Sequence, residues 1–461
     1  MALIKSISGI RGTIGGEIGE SFTPLDIVKF TSAYASLIKK RAGEKSRCRV
    51  VVGRDARISG EMADSIVCGT LMACGVDIIN AGMASTPTVE MAVVFEGADG
   101  GIILTASHNP KEWNALKLLN EKGEFLSSSD GEELLNIADN SLYRFAEVDN
   151  LGVMTHKDFT KQHIEAVLSY PLVNTEAIYR AGFTVVLDAV NSVGGVVIPA
   201  LLEALGVNTI KINCDPDGRF PHNPEPLPEH LTQLSSTVVK EGADLGIAVD
   251  PDVDRLALIQ ADGNPFGEEY TLVAAADYVL KSRKGSTVSN LSSSRALRDI
   301  TEGAGCSYYP SAVGEVNVVE MMKSVNAVIG GEGNGGVIVP DLHYGRDALI
   351  GVALILSHLA IEKISLSDLR KRYPVYVSSK NKIDLSPGMD VDNILSKIKD
   401  IYSQERITDT DGVKIDFDKE RMWVHLRKSN TEPIIRVYAE APESISATNL
   451  ANKILSDIKN L

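Results

Sequence analysis

Short apolar runs that end in polar, glycine-containing loops recur along the chain. Such runs, with the β-branched composition of buried strands, stand at residues 48–55 (CRVVVGRD), 100–107 (GGIILTAS), 183–190 (FTVVLDAV), 245–250 (LGIAVD) and 326–331 (NAVIGG). Segments with helical periodicity, such as residues 59–75 and 197–206, lie between them. Strands that alternate with helices predict parallel βαβ units and therefore an α/β fold.

The last part of the chain, from about Tyr373, has a different pattern. Residues 421–441 (RMWVHLRKSNTEPIIRVYAEA) predict two strands joined by a polar turn, and residues 447–461 (ATNLANKILSDIKNL) predict an amphipathic helix. A chain of 461 residues is too long for a single core. We therefore predict about three or four domains, namely several similar α/β domains followed by a C-terminal α+β domain.

Composition and charge narrow the classes of partner. The formal net charge is −15, from 46 basic and 61 acidic residues, which disfavours nucleic acid as a partner. No apolar run approaches the roughly 20 residues of a membrane span, and we expect neither a membrane partner nor a signal peptide. The five cysteines are scattered without a C-x-x-C pair, as is typical of reduced thiols in a cytoplasmic protein. We expect a monomer or a homodimer.

The loop TASHNP, residues 105–110, follows the second of these apolar runs. Ser107 there could cap a helix, since serine is common at helix N-termini. A serine hydrolase is disfavoured because the G-x-S-x-G elbow is missing and His108, as the adjacent residue, is poorly placed to act as the base. A serine that carries phosphate is the third interpretation, with Lys117 as an acid/base or a phosphate clamp.

The loop DPDVDR, residues 250–255, places three carboxylates at two-residue spacing after a buried strand. Asp250, Asp252 and Asp254 would repel one another unless a cation lies among them, and Mg²⁺ prefers such oxygen ligands. Arg255 could bind a phosphoryl oxygen beside that ion. A solvated acidic turn is one alternative. A phosphatase with an aspartate nucleophile is another, although a third aspartate followed by arginine is less expected there.

The glycine-rich loop within residues 327–349 satisfies G-x-G-x-x-G at Gly331, Gly333 and Gly336. A dinucleotide site is disfavoured because Glu332 would face a pyrophosphate and because no helix pattern follows the loop. Glu332 and Asn334 are better suited to the hydroxyl groups of a sugar. A flexible surface loop is the alternative.

A group of hydrogen-bond donors lies near the C-terminus of this otherwise acidic chain. The group consists of Arg427, Lys428, Ser429, Asn430, Thr431 and Arg436. Backbone amides of a turn, hydroxyls and guanidinium groups together bind phosphate well. The pattern therefore indicates a phosphate site, with a plain hairpin turn as the alternative.

These four loops, in this order, resemble those of the α-D-phosphohexomutase superfamily. The resemblance covers the chain through motifs at residues 8–12 (SGIRG), 50–60 (VVVGRDARISG), 105–110 (TASHNP), 222–231 (HNPEPLPEHL), 250–255 (DPDVDR), 331–336 (GEGNGG) and 427–433 (RKSNTEP). It implies a heart-shaped enzyme with three similar α/β domains of mixed sheets, residues 1–155, 156–258 and 259–372, plus a C-terminal α+β domain, residues 373–461. One loop from each domain would enter a central cleft. It also implies that Ser107 is the phosphoserine, whose phosphate would complete the shell of one Mg²⁺ held by Asp250, Asp252 and Asp254.

The resemblance assigns roles to the remaining motif residues as well. Arg11, His108 and Lys117 would assist catalysis near Ser107. Substrate binding would fall to Arg255, Glu332, Asn334, Arg427, Ser429, Asn430, Thr431 and Arg436. The implied reaction moves phosphate between C6 and C1 of a hexose phosphate through a bisphosphorylated sugar, which also serves as activator. Glucosamine phosphate is our first choice of substrate, with mannose or glucose phosphate as the alternative, and a silent sugar-phosphate-binding protein as the alternative of another class.

Two departures from the family pattern bear on the chemistry. Many bacterial relatives have a histidine, proposed as a proton shuttle, where this chain has Gly336. Lys117 or His343 could take over that role. The sequence EGNGG resembles the variant of archaeal-type members, whose substrates differ, so the loop does not fix which sugar is bound.

Overall fold

The protein is described by a computed structural model over residues 3–6, 9–43, 47–384, 390–428 and 434–460. Its contacts divide the chain into two compact units. The first comprises Met1–Thr271 and Gly335–Ser367, and the second comprises Leu272–Asn334 and Asp368–Leu461.

The secondary structure alternates through most of the chain. The strands are β1 (Leu3–Ser6), β2 (Gly9–Thr13), β3 (Cys48–Arg54), β4 (Val76–Met83), β5 (Gly100–Leu104), β6 (Trp113–Leu119), β7 (Met154–His156), β8 (Thr184–Asp188), β9 (Asn208–Ile212), β10 (Leu245–Val249), β11 (Leu256–Gln260), β12 (Thr287–Asn290), β13 (Tyr308–Ser311), β14 (Ile329–Glu332), β15 (Gly336–Ile338), β16 (Val377–Asp384), β17 (Arg406–Thr408), β18 (Val413–Phe417), β19 (Met422–Lys428) and β20 (Ile434–Ala441). The α-helices are α1 (Pro24–Ala42), α2 (Gly60–Ala73), α3 (Thr86–Glu96), α4 (Ser128–Asp139), α5 (Thr160–Ser169), α6 (Thr175–Ala181), α7 (Gly194–Ala204), α8 (Thr232–Glu241), α9 (Glu268–Ser282), α10 (Arg295–Gly303), α11 (Glu315–Ser324), α12 (Ala348–Glu362), α13 (Leu366–Lys371), α14 (Val391–Ile401) and α15 (Ser444–Lys459). Two short 3₁₀ helices lie at Val148–Asn150 and Pro228–His230.

The first unit contains two mixed sheets. One has the strand order β1-β2-β6-β5-β3-β4-β7, in which β3 is parallel to β4 and β5 while β6 is antiparallel to β5 and β2. The other has the order β11-β10-β8-β9, in which only the β10–β11 pair is antiparallel. The α/β prediction with mixed sheets is confirmed in this unit. The predicted boundary between residues 258 and 259 falls inside β11, so a domain boundary there belongs after that strand.

The central strands are continuous apolar runs in the sequence because helices bury both faces of the sheet. Val50 and Val52 of β3 pack in one hydrophobic cluster with α1 and α2, and Val51 packs in another with α3. All three valines are fully buried, as expected for parallel strands covered by helices on both sides. The loops that follow β5 and β10 leave the carboxyl ends of such strands, where open α/β sheets bind their ligands.

The second unit contains a parallel group and an antiparallel sheet. Strand β12 is parallel to both β13 and β14. The antiparallel sheet has the order β16-β20-β19-β18-β17, and α14 and α15 contribute to the hydrophobic core on one of its faces. The predicted C-terminal α+β domain is confirmed, including the two strands of residues 421–441 and the terminal helix.

Two further predictions can be compared with the described residues. Among them, no helix is both long enough and apolar enough to cross a lipid bilayer. None of the five cysteines, all of which lie in the described ranges, forms a disulfide.

Candidate active site

Ser107 lies in a tight loop after β5. Its backbone has φ of 48°, in the left-handed region that residues other than glycine rarely adopt, and its amide donates to Thr105 Oγ1 at 2.9 Å. Turns occupy the residues up to β6, so no helix begins here. The interpretation of Ser107 as a helix N-cap is therefore wrong. Strained backbone of this kind persists where the surrounding contacts fix it.

Arg57, which sequence reasoning overlooked, fixes this loop. Its fully buried guanidinium donates to four carbonyls of the chain, those of Ser107, Asn109, Pro110 and Trp113. Arg57 Nε also donates to Asp55 Oδ2 at 3.0 Å, and that oxygen accepts from Thr105 Oγ1 at 2.7 Å. One buried ion pair thus determines the path of residues 105–113.

The aspartate loop, residues 250–255, leaves β10 beside Ser107. Asp250, Asp252 and Asp254 are each 0% exposed, so the solvated acidic turn is wrong. Ser107 Oγ donates to Asp250 Oδ2 at 2.8 Å, while Asp250 Oδ1 accepts from the amides of Asp254 and Arg255 at 3.1 Å each. Hydrogen bonds to both oxygens thus fix the orientation of the Asp250 carboxylate.

Two cations from other elements neutralise part of this negative charge. Lys117 Nζ, from β6, donates to Asp252 Oδ2 at 2.6 Å and to Asp254 Oδ2 at 3.3 Å. Arg346 Nη2 donates to Asp254 Oδ2 at 2.7 Å. Burial opposes the charge on Lys117, but the two carboxylates outweigh it and hold the pKa of Lys117 above that of free lysine. Lys117 is therefore an ammonium ion at neutral pH.

The aspartate loop has the donor set of a divalent-cation site. Carboxylate oxygens of the three aspartates lie within 4.8 Å of one another. Asp252 Oδ1 and Asp254 Oδ1 are buried and have no hydrogen-bond partner among the described residues. Burial and its two acidic neighbours raise the pKa of Asp250, which records their mutual repulsion. Hard oxygen ligands of this kind fit Mg²⁺.

Further basic side chains surround Ser107. Arg11 stands opposite Ala115 in the β2–β6 pair, which puts its side chain on the same face of the sheet as Lys117. Burial and the nearby charge of Arg255 lower the pKa of Arg11. The same two causes lower the pKa of His108 to about 2, so its imidazole is neutral. His108 Nδ1 lies 3.4 Å from Ser107 Oγ.

In the second unit, the predicted sugar loop is hydrogen-bonded to the end of β12. Asn290 Nδ2 donates to Glu332 Oε1 at 2.8 Å, and Asn334 Nδ2 lies 3.5 Å from Glu332 Oε2. Gly333 N donates to Ser293 Oγ at 3.1 Å, so the loop is held in place rather than being a free surface loop. Glu332 is 6% exposed, and its carboxylate is oriented by amide donors.

The predicted phosphate site is described only in part, since Ser429, Asn430 and Thr431 lie outside the described residues. Arg427 of β19 is directly opposite Arg436 of β20, which is in turn opposite Lys382 of β16. Cross-strand partners share a face of the sheet, and like charges there repel. We call Lys382, Arg436 and Arg427 the basic row. Lys382 was not predicted, because nothing local marks its register with β20.

Comparison with known families covers nearly the whole chain. Sequence profiles described as phosphoglucomutase/phosphomannomutase, alpha/beta/alpha domains I, II and III, match residues 3–144, 161–263 and 267–376. The profile of the C-terminal domain of the same family matches residues 377–456.

Relatives and solved structures agree with these profiles. A phosphoglucomutase/phosphomannomutase of Thermococcus kodakarensis is 36% identical over 437 residues, which cover 94% of this chain and 93% of the relative. A phosphoglucosamine/phosphogalactosamine mutase of Sulfurisphaera tokodaii is 32% identical, with 98% of each chain covered. The crystal structure of a phosphoglucomutase/phosphomannomutase family protein from Burkholderia thailandensis superposes with a TM-score of 0.84 at 24% identity, covering 98% of this chain and 96% of the other.

Proposed function

Because this chain belongs to the α-D-phosphohexomutase superfamily, we propose that it moves phosphate between C6 and C1 of a hexose phosphate. The observation that carries the proposal is the 2.8 Å contact between Ser107 Oγ and Asp250 Oδ2. It supports Ser107 as the phosphorylated residue, since an ester formed at this oxygen would lie beside a cage of carboxylates suited to Mg²⁺. The proposed enzyme is an isomerase.

In the proposed reaction, the bond between Ser107 Oγ and phosphorus breaks as phosphorus bonds to the free hydroxyl oxygen of the sugar. That hydroxyl gives up its proton, and Ser107 Oγ takes one up to become a hydroxyl again. The bisphosphorylated sugar then turns over and returns its other phosphate to Ser107. Mg²⁺ held by Asp250, Asp252 and Asp254 would supply Lewis-acid neutralisation of charge on the phosphoryl group. Such transfer depends mainly on in-line positioning and charge neutralisation, so the residues of this chain act mainly by orienting the reacting groups and by neutralising their charge.

The chain's own residues meet that task in distinct ways. Arg57 fixes the strained backbone that presents Ser107. Lys117 donates to two of the carboxylates that would hold the cation, and we assign it as a phosphate clamp. We assign Arg11 and Arg255 to the phosphoryl oxygens, while His108 offers a neutral imidazole beside Ser107.

We propose that the second unit carries a site for a phosphate group of the substrate. The basic row places three cations on one face of one sheet, which supports binding of a distal phosphate. Glu332 and Asn334 would contact the hydroxyl groups of the sugar. We propose glucosamine 6-phosphate as the preferred substrate because a carboxylate such as Glu332 favours a cationic amino group. Mannose and glucose phosphates are the alternatives.

A serine-to-alanine substitution tests the mutase mechanism. Ser107→Ala should abolish conversion of every sugar phosphate and also the incorporation of phosphate from a sugar bisphosphate, measured by intact mass. Ser65→Ala, at an exposed serine of α2, is the matched control and should keep both. A phosphatase with an aspartate nucleophile would keep its activity in Ser107→Ala, and that result would refute the proposal.

The choice of sugar is tested by comparing kcat/KM for glucosamine, mannose and glucose phosphates with bisphosphate activator present. We expect glucosamine phosphate to be preferred. A preference of more than about tenfold for either neutral sugar, about 1.4 kcal/mol in transition-state binding, would make that choice wrong.

We further infer a cytoplasmic monomer or homodimer. The absence of disulfides among the five cysteines supports a reducing compartment. Size-exclusion chromatography with light scattering would decide the oligomeric state.

A further inference from the structure

A buried group of ionisable side chains lies outside the residues assigned so far. The group, which we call the ionic cluster, consists of Glu90 of α3, His163 of α5, His343, and Asp347, the N-cap of α12. Glu90 is 1% exposed, His163 and Asp347 are 0% exposed, and the side chain of His343 is 8% exposed. Burying so many ionisable groups costs free energy of folding unless they form ion pairs or hydrogen bonds with one another.

The cluster is held together by one shared carboxylate oxygen. Asp347 Oδ2 accepts from His163 Nε2 at 3.0 Å and from His343 Nε2 at 3.2 Å, while Asp347 Oδ1 accepts from the amide of Leu349 at 2.7 Å. His343 Nδ1 lies 3.3 Å from Glu90 Oε2. Burial opposes a charge on His343, but Asp347 and Glu90 together raise its pKa to about 10. His343 is thus an imidazolium between two carboxylates, which makes it a poor proton shuttle.

Residues next to the cluster in the chain contact the aspartate loop from two sides. On one side, Arg346 precedes Asp347 in the chain and donates to Asp254, and the amide of Ala348 donates to Val253 O at 3.1 Å. On the other side, the first turn of α3 carries Thr86, whose hydroxyl donates to Asp252 Oδ2 at 2.6 Å and whose amide donates to Asp252 O at 2.9 Å.

The ionic cluster joins these two sides to each other. His163 Nδ1 lies 2.9 Å from the hydroxyl of Thr88 in the first turn of α3, and Glu90 continues the same helix. The packing around the cluster is tight, since a Cβ added at Gly345 would lie 1.8 Å from Glu90 Oε2 and 2.9 Å from His343 Nδ1. A shift of α3 relative to the start of α12 would therefore move the groups that orient Asp252 and Asp254.

We propose that His343, acting through Glu90 and Asp347, positions the aspartate loop for its cation and for phosphoryl transfer. This inference rests on the proposed mutase function for its catalytic part. Two imidazoles and a carboxylate are also a set of metal ligands. Here, however, the three groups lie at hydrogen-bond distances, and the positive charge of His343 offsets one of its two carboxylates. The geometry points to an ion-paired network rather than to a second metal site.

The test compares His343→Gln with His358→Gln, a matched control. His358 is fully buried in α12 and lies 3.2 Å from Glu362, on the same helix but away from the aspartate loop. Mn²⁺ affinity is measured by calorimetry without any sugar, and kcat and KM are measured with the preferred sugar phosphate. We expect His343→Gln to weaken Mn²⁺ binding and to lower kcat by about tenfold or more, with KM changed less than about twofold. His358→Gln should change none of these.

A second pair of variants keeps the inference testable if His343→Gln folds poorly. Glu90→Gln should reproduce its effects, and the double variant should be no worse than either single one, because both remove the same connection. Mn²⁺ affinity and kcat that stay within twofold of the wild type in both single variants would overturn the inference. So would one equivalent of zinc in the purified wild type that is lost in His343→Gln.

The two measurements separate this inference from the proposed function. If the wild type converts no hexose phosphate but His343→Gln still weakens Mn²⁺ binding, the mutase proposal fails and the positioning role stands. If the wild type is a mutase and neither Mn²⁺ affinity nor kcat changes in the cluster variants, only the positioning role fails.

Discussion

Replacing Lys117 with glutamine should separate cation binding from catalysis. Lys117 Nζ lies 2.6 Å and 3.3 Å from oxygens of Asp252 and Asp254, the carboxylates that we assign to Mg²⁺. The ammonium therefore competes with the cation for the negative charge of these carboxylates. We predict that Lys117→Gln binds Mg²⁺ more tightly than the wild type and yet loses nearly all mutase activity.

The magnitude follows from Coulomb's law in a partly polar interior. At an effective dielectric constant of about 20, an ammonium about 5 Å from a divalent ion would repel it by roughly 7 kcal/mol. Without the ammonium, however, the aspartates of the Mg²⁺-free variant take up protons more readily. Since these protons must leave when Mg²⁺ binds, they offset much of the gain in Mg²⁺ affinity. We expect a net gain of about 1.4 kcal/mol or more, which is at least tenfold in Kd. Loss of one preorganised cation from the transition state should lower kcat by about 10²-fold or more.

Calorimetric titration with Mg²⁺ at neutral pH measures the first effect, and steady-state kinetics at saturating Mg²⁺ measures the second. Lys117→Arg keeps the charge and should bind Mg²⁺ about as the wild type does. Equal or weaker Mg²⁺ binding by Lys117→Gln would refute the reasoning. It would mean that Lys117 holds the carboxylates in place for the cation rather than competing with it.

Three further outcomes follow from the structure. Arg57→Lys keeps the positive charge, but a lysine ammonium has only three donors for the five acceptors that Arg57 contacts. We therefore expect kcat and the rate of phosphate incorporation to fall together by at least tenfold. Unequal changes in the two rates would contradict a positioning role for Arg57. Lys382→Gln should raise KM for the sugar phosphate about fivefold without changing kcat, whereas Lys419→Gln, in the turn between β18 and β19, should change neither. The raised pKa of His343 stabilises the fold fully below about pH 6.5, and this contribution is lost as the pH rises through about 10. The difference in Tm between wild type and His343→Gln should therefore shrink with rising pH, and a constant difference would contradict the ion-paired assignment.

Local pattern was sufficient to predict the elements and the loops that carry polar residues. The aspartate loop illustrates why, since LGIAV is long and apolar enough to be a buried strand and Pro251 excludes a regular helix after it. In an α/β fold the carboxyl end of such a strand is a ligand edge, so the prediction of buried carboxylates there needed no tertiary information. The same reasoning placed Ser107 after β5.

The partners of those loops could not be predicted from the sequence alone. Arg57 lies 50 residues before Ser107, and Arg346 lies 92 residues after Asp254. Neither contact can therefore be predicted from the local sequence pattern around these residues. A buried arginine looks like any surface arginine in a hydropathy pattern, and only its D-x-R spacing from Asp55 hinted at an internal ion pair. His343 was suggested as a proton shuttle because it lies near Gly336, but its burial between two carboxylates depends on the packing of α3 and α5 against α12.

The charges around Ser107 suggest that phosphate and cation are bound as a pair. The three aspartates face two directly bonded cations, Lys117 and Arg346, and Arg255 of the same loop lies 3.9 Å from Asp254, so the charges of the aspartate loop nearly cancel. A phosphoserine adds close to two negative charges and Mg²⁺ adds two positive ones, so together they leave this balance nearly unchanged. Either one alone would move it by about two charges in a buried site, which is costly. Phosphorylation of Ser107 and Mg²⁺ binding should therefore each strengthen the other by the same factor, as linkage requires.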